Sequence, residues 1–304
     1  MQIKKPMIAL FLLPAVLIYL AVFLYPTLRA LLMSFYSLPS ISSKMSEWSF
    51  IGFENYTDLF RNSYFMDSAW NVLKIWLFGG IITICSAFLF AAILSSGVRG
   101  KTFWRSLVYL PNTVSAVVLS VIWIHYIFNS SYGFLTKLFR FLGLDMLADI
   151  QWTSDSYLFL SMLLAYCFGS IGYFMLILNA GMDRIPRDYY EAALLEGANP
   201  LHKFFRITLP LLQDIFRMTL VLWTVTAVNF FVWSATFGGA SESVATMTPG
   251  YFMYLKVFGD GTSVYTQDAF NVGAGAAVGV SITISILILS AIINQFFRKE
   301  RLEY

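Results

Sequence analysis

Charge is what this chain has least of. Asp, Glu, Lys and Arg make up 12% of its 304 residues, about half the share of an ordinary soluble domain. A water-soluble core of this length needs no such deficit, so a soluble globular class is excluded. The net charge is only +3, and no basic cluster with interleaved aromatics is present, which gives no case for nucleic acid. Cysteine is scarce too. Cys85 and Cys167 both sit in apolar runs; they read as small buried apolar residues and make no metal site alone. The two histidines, His125 and His202, have no Cys or carboxylate at ligand spacing. His125 reads as a helix-interface or packing residue and His202 as a loop-surface residue. No GxxxxGK[ST] phosphate cradle occurs, so the chain has no means of hydrolysing ATP itself.

What is present is apolar length. Six stretches lack Asp, Glu, Lys and Arg: Pro6–Leu28, Ile75–Val98, Ser106–Thr136, Ser156–Met182, Met218–Ser241 and Ala269–Phe297. Each is long enough to cross roughly 30 Å of hydrocarbon as a helix. Open strands would leave backbone groups unsatisfied in lipid, so the expected class is an all-α polytopic membrane protein with six transmembrane helices in one domain, 1–304. The N-terminal run follows a basic flank, yet it is longer than a signal-peptide core and lacks a small-residue cleavage site. It reads as a retained first span. A seventh run, Ser243–Leu255, is short and interrupted by Pro249 and Gly250; a surface or re-entrant segment fits it.

Six spans put both termini on one side. The N-terminus, Arg99–Arg105, Asp183–Arg217 and the tail hold 13 of the 20 basic residues; the other side holds seven, with ten acidic residues. The positive-inside rule makes the first set cytoplasmic. The expected location is the cell (inner) membrane, multi-pass, with both termini cytoplasmic. The external connections, Met33–Trp70, Asn129–Asp155 and Glu242–Asp268, read as covers over a membrane cavity.

The most organised polar segment then faces the cytoplasm. It reads "EAALLEGANPLHKFFRITLPLL" over Glu191–Leu212. A helix starts near Pro186 and continues through Ala192, Ala193, Leu194 and Leu195. Gly197 suits its end, and Asn199 with Pro200 restarts a helix toward Pro210. Ala192 and Ala193 form a flat face, Phe204 and Phe205 offer apolar knobs, and Glu191 and Glu196 can pair with Arg or accept backbone hydrogen bonds. Spacing alone fits an amphipathic interfacial loop as well as a docking element.

The spacing of Glu191-Ala192-Ala193, three residues to Gly197, nine to Ile207, then Leu209-Pro210 resembles the EAA motif of ABC importer permeases. Glu196 stands where that family usually has Asp. "GANPLHKFFRITLPLL", "FIGFENYTDLF", "LVYLPNTVSAVVLSVIWIHYIFNSSYGFLTKLF" and "TPGYFMYLKVFGDG" resemble the carbohydrate-uptake branch, the maltose and glycerol-phosphate permease type. Pro249 and Gly250 depart from its pattern. The resemblance implies a type I (MetI-like) fold and a non-catalytic subunit working with a second homologous permease, a cytoplasmic ATPase dimer and an extracellular or periplasmic solute-binding protein. It implies a carbohydrate substrate, no cofactor bound by this chain, and ATP and Mg used by the partner ATPase. The loop 184–210 would couple to that ATPase: Glu191, Ala192, Ala193, Glu196 and Gly197 as the coupling helix, Ile207, Leu209 and Pro210 anchoring its return.

A sugar path needs hydrogen-bonding and aromatic side chains inside spans, where polar groups are costly unless they line a cavity or pair. The fourth stretch offers Tyr166, Ser170 and Tyr173 as a stripe. The fifth offers Thr224, Asn229 and Trp233, the last two on one helix face by spacing. The same residue types also hold spans together. The small residues Gly273, Gly275, Ala276, Ala277, Gly279 and Ser281 read as a packing seam. An ion-coupled secondary transporter would want charged residues or broken helices at mid-membrane, and the spans carry no charge. A non-transporting scaffold would lack an ATPase partner. The want of a basic residue in the spans argues against a phosphorylated ligand, because Arg or Lys usually meets phosphate. Which sugar is carried stays open.

Overall fold

A computed structural model describes residues 5–40, 42–239, 243–259 and 271–297. Expectations resting on Lys4, on 240–242, on 260–270 and on the basic tail (Arg298, Lys299, Arg301) lie outside the described residues. The class is all-α with one two-residue hairpin, in which Tyr36 pairs with Phe50 and Ser37 with Ser49.

Among the described residues five helices are long and apolar enough to cross a membrane, or six if one bent pair forms a span. We label the elements α1 (Phe11–Met33), α2 (Ser63–Ser95), α3 (Lys101–Thr113), α4 (Ala116–Ile127) and α5 (Asp155–Met182). They continue as α6 (Arg187–Leu195), α7 (Pro200–Lys203), α8 (Gln213–Val228), α9 (Val232–Gly238), α10 (Pro249–Phe258) and α11 (Val272–Phe296). The exterior is apolar: Phe11, Val22, Leu89, Leu287 and many like them are exposed. Such a surface is stable in lipid and not in water. The chain is a multi-pass membrane protein.

The stretch expected as one span over 106–136 is instead two helices, α3 and α4, meeting at 95°. Pro111 lies in the last turn of α3, where it supplies no backbone donor and disfavours continuation. The fifth stretch is also interrupted. α8 ends at Val228, and α9 restarts at Val232 with Phe231 as its cap, the Phe231 carbonyl accepting from the Ala235 amide at 2.9 Å. The Phe230 carbonyl freed by the break accepts from Thr248 Oγ1 at 2.5 Å, which satisfies a group that lipid could not.

The chain divides into two compact units. In residues 67–251 with 285–304, α5 runs along α2 and α3. Helices in lipid gain little from apolar burial, so close packing and internal hydrogen bonds hold them. A Cβ on Gly172 would overlap the Val108 carbonyl and Tyr109 Cα; the backbones of α3 and α5 touch there. Trp223 is wholly buried, and its Nε1 donates to the Trp76 carbonyl at 2.8 Å. Trp76 Nε1 in turn donates to Thr224 Oγ1 at 3.0 Å. Residues 243–251 are an interior element rather than a surface segment: Thr246, Met247 and Thr248 are fully buried. Asn71 Nδ2 donates to the carbonyls of Val244 and Met247, both at 3.0 Å.

In residues 1–66 with 252–284, Asn271 is the clamp. Its Oδ1 accepts from the amides of Leu38 and Gly273, and its Nδ2 donates to Asn55 Oδ1 at 2.9 Å. The small-residue stretch of α11 is a seam within this unit: a Cβ on Gly275 would meet Val257, and one on Gly273 the Tyr36 carbonyl. One expectation for an isolated residue fails: Cys85 is exposed on an apolar helix and not packed inside, while Cys167 is buried. His125 lies on an exposed face of this single chain.

Candidate functional site

The two interruptions face one cavity. It has a volume of about 500 Å³ and lies between the α3–α4 bend, the middle of α5 and the α8–α9 break. Tyr166, Ser170 and Tyr173 line it from one face of α5, as the stripe predicts. Asn229 and Trp233 line it too, though not on a shared helix face. The break separates them, so each enters the wall from a different helix. Thr224 does not line it: its hydroxyl accepts from Trp76 and donates to the Leu220 carbonyl at 2.9 Å, joining spans. Asn112 and Thr226 are cavity residues that sequence reasoning missed. Asn112 directly follows Pro111, the one signal that could have placed it at a bend.

Tyr166 is held in the wall by its aromatic neighbours. It is 7% exposed, and its ring packs against Phe230 at 4.8 Å, Trp223 at 5.6 Å and Trp233 at 5.8 Å. Three aromatic neighbours fix where its hydroxyl points. Ser170 and Thr226 face that hydroxyl, whose oxygen is buried away from the open part of the cavity.

The second region is the polar end of the same unit. α6 follows Pro186 as its cap and ends at Leu195. Gly197 has φ +73, a left-handed conformation that costs other residues energy. Asn199 Oδ1 caps the restart by accepting from the His202 amide at 2.7 Å. The return arm continues through Phe204–Thr208 and Leu209–Leu211 to Leu212, which is fully buried. Tyr190 and Thr208 hydroxyls lie 2.9 Å apart and tie the two arms together, a link the motif did not disclose. Ile207 and Leu209 are half-buried and Pro210 is exposed. Phe204 turns inward to an edge contact with Phe88 at 5.8 Å, so only Phe205 remains an outward knob. The outer surface carries Leu194 (62% exposed), Leu195 (90%), Leu201 (69%) and Phe205 (61%). Glu191, Ala192 and Glu196 are exposed beside them and Ala193 is half-buried. Among the described residues neither glutamate is in an ion pair.

A charged knot roots this elbow. Lys101 Nζ donates to Asp183 Oδ1 at 2.9 Å and Arg105 Nη2 to Asp183 Oδ2 at 3.3 Å. Arg105 also donates to Asn179 Oδ1, whose Nδ2 donates to Ser95 Oγ at 2.8 Å. The start of α3, the end of α2 and the end of α5 are thereby joined where the elbow leaves the membrane helices. Among the described residues no group of three His, Cys, Asp or Glu could hold a metal ion.

The sn-glycerol-3-phosphate transport system permease protein UgpA of Shigella flexneri is 32% identical over 250 residues, 81% of each chain. Its counterpart in Escherichia coli O6:K15:H31 is 29% identical over 284 residues, covering 92% of this chain and 90% of that one. A crystal structure of a bacterial ABC transporter involved in the import of the acidic polysaccharide alginate contains a chain that superposes with a TM-score of 0.77 at 19% identity. The match covers 96% of this chain and 95% of that one; at that identity the likeness is one of fold. The sequence matches the family "Binding-protein-dependent transport system inner membrane component" over residues 83–301. The chain belongs to that family, the permease subunits of ABC importers.

Proposed function

We propose that this permease subunit passes a sugar or oligosaccharide, delivered by an extracellular or periplasmic solute-binding protein, through the cavity to the cytoplasm. Permease subunits are transport components and not catalysts. On this reading ATP and Mg are used by a cytoplasmic ATPase dimer, this chain binds no cofactor, and a second homologous permease completes the path. The elbow faces the cytoplasm, as do both termini of a chain set in the inner membrane. Glu191, Ala192, Ala193, Glu196 and Gly197 form the ATPase-facing arm; Ile207, Leu209 and Pro210 seat its return. Tyr166, Ser170, Tyr173, Asn229 and Trp233 form the substrate wall, and Thr224 is left to structure.

One observation carries the reading. Leu194, Leu195, Leu201 and Phe205 are exposed on the segment rooted in the Lys101–Asp183–Arg105 knot, at the polar end of the helices. Apolar surface at such a place is a docking face. A Cys introduced at Leu195 tests it. A membrane-impermeant maleimide should label it in inside-out vesicles and not in intact cells, and the co-purified ATPase should protect it. Labelling from outside the cell, or no protection, would end the reading. A purified transporter whose ATP hydrolysis ignores the sugar-loaded binding protein would do the same.

A further inference from the structure

The connection between α4 and α5 exposes a continuous run of large apolar side chains. We propose that this connection is an anchor seated among the phospholipids of the leaflet opposite the elbow, where it holds the end of α4 at a fixed depth in the membrane.

Depth is the first argument. Asn179 and the Lys101–Asp183–Arg105 knot mark one edge of the hydrocarbon. From Asn179 back to Phe159, α5 rises about 30 Å at 1.5 Å per residue, the thickness of a bilayer core. At that level Lys74 Nζ lies 4.5 Å over the Phe159 ring, a cation where headgroups begin. The connection comes back to this level instead of leaving it. Ser161 Oγ, on the membrane side of Phe159, donates to the Trp152 carbonyl at 2.7 Å. The Trp152 ring stacks at 5.7 Å on Phe128, which directly follows α4 and is fully buried.

The lie of the connection is the second. It holds two short helices, Phe134–Phe141 and Asp145–Ala148. Near the start of the longer one, Thr136 Oγ1 donates to the Asn129 carbonyl at 3.1 Å. Near its end, Arg140 pairs with Asp149 at 3.7 Å. Both ends are thus held beside the Phe128–Trp152 stack, and the helix lies across the end of α5 rather than along it. Leu135 and Phe139, on one helix face, pack on the core that includes Phe128 and Trp152. Gly143, at φ +70, closes the helix: its amide donates to the Arg140 carbonyl at 3.1 Å and the Leu144 amide to the Phe139 carbonyl at 2.8 Å. This fixed frame turns Phe134, Phe141, Leu142, Leu144 and Met146 outward, with Phe141 87% and Met146 90% exposed. Lys137 and Arg140, also exposed, border Phe134 and Phe141 by helical spacing. Their long stems let the charge rise to the phosphates while the aromatic rings stay below.

An apolar face bordered by cations, lying flat at the hydrocarbon edge, has the form of an interfacial helix. It continues the lipid-facing surface of α4, where Val117, Val121 and Tyr126 are exposed. A soluble partner meets headgroups and does not reach the level of Ser161. Lys137 and Arg140 are matched by Asp145 and Asp149, so the anchor depends on apolar burial and works in zwitterionic lipid.

The test uses the whole transporter in phosphatidylcholine nanodiscs, with Cys85→Ser removing the exposed native thiol. Phe141→Cys and Met146→Cys, each at an outward position that leaves the packed face intact, carry an environment-sensitive fluorophore. Phosphatidylcholine spin-labelled near the top of its acyl chain should quench both fluorophores at least about twofold more than lipid labelled at the chain end, the depth expected of an interfacial helix. Aqueous iodide should quench them weakly. Strong iodide quenching with none by spin-labelled lipid would place the face in water and overturn the proposal. Shielding from iodide and lipid alike would place a protein there and do the same, as would shielding that arises only when the sugar-loaded binding protein is added.

Discussion

Replacing Gly197 isolates the elbow from everything else. The residue sits at φ +73, and a Cβ built on it would meet no atom within 4 Å. A side chain there causes no collision, so its whole effect is conformational. A left-handed backbone costs an ordinary residue about 1–2 kcal/mol, and Asn less because it tolerates that region. If the angle between the arms positions the ATPase-facing surface, this cost shifts the population of correctly bent loops by roughly 5–30-fold. Insertion and the core should be untouched, since Gly197 belongs to neither. Gly197→Asn, Gly197→Ala and Gly197→Val should therefore give a graded loss of sugar-stimulated ATP hydrolysis and uptake in reconstituted transporter. Val should lose most, because a β-branched residue at positive φ is the worst strained. Thermal unfolding should fall by no more than that cost of about 1–2 kcal/mol, because the strain is confined to the elbow. Full activity in Gly197→Val would refute the argument, and so would equal loss in all three variants.

Glu191→Lys reverses an exposed charge free of ion pairs, so it should leave detergent stability unchanged while reducing coupled hydrolysis; normal coupling would remove Glu191 from the interface. Gly172→Ala forces a methyl into the Val108 carbonyl and Tyr109 backbone, and should lower stability by about 1–3 kcal/mol with a visible drop in unfolding temperature. Thr224→Val breaks the bond from Trp76 Nε1 and should cost about 1 kcal/mol without altering sugar-stimulated ATP hydrolysis, whereas a wall residue would alter it. Asp183→Asn loosens a half-exposed knot, so its stability effect should be under about 1 kcal/mol, and any coupling defect should exceed what that loss explains.

The elbow was legible because it is local. Pro186, Gly197, Asn199 and Pro200 each act on their own backbone, so the sequence places the two arms to within a residue. The α5 stripe was legible for the same reason: one uninterrupted helix carries it. The cavity as a whole was not. Its walls exist because α3–α4 and α8–α9 break, and both breaks fall inside stretches free of Asp, Glu, Lys and Arg that read as continuous spans. Pro111 hinted at the first. The second depends on Thr248 reaching across eighteen residues to the Phe230 carbonyl, a partner that no local pattern announces. Thr224 and Asn229 illustrate the ambiguity. Both are small polar residues of the same apolar stretch, and only the position of Trp76 decides that one joins helices while the other meets the cavity.

α5 is the element that links the two regions. It is 28 residues long, about 42 Å at 1.5 Å per residue. It carries Tyr166, Ser170 and Tyr173 at the cavity and Asn179 near its other end, with Asp183 following directly. A helix of this kind bends little unless Pro, a bulge or an inserted side chain breaks it, and α5 contains no proline. At Gly172 it touches the backbone of α3, whose first residue, Lys101, is tied to Asp183. α3 and α5 therefore share contacts both at the elbow's root and beside the cavity. A displacement of the elbow that moved Asp183 would have to carry both helices or break the knot. Carrying both would move the α3–α4 bend and Tyr166 together against the α8–α9 break on the other side of the cavity, so the reach of such a movement follows from two rigid helices and requires no chain of soft contacts between them.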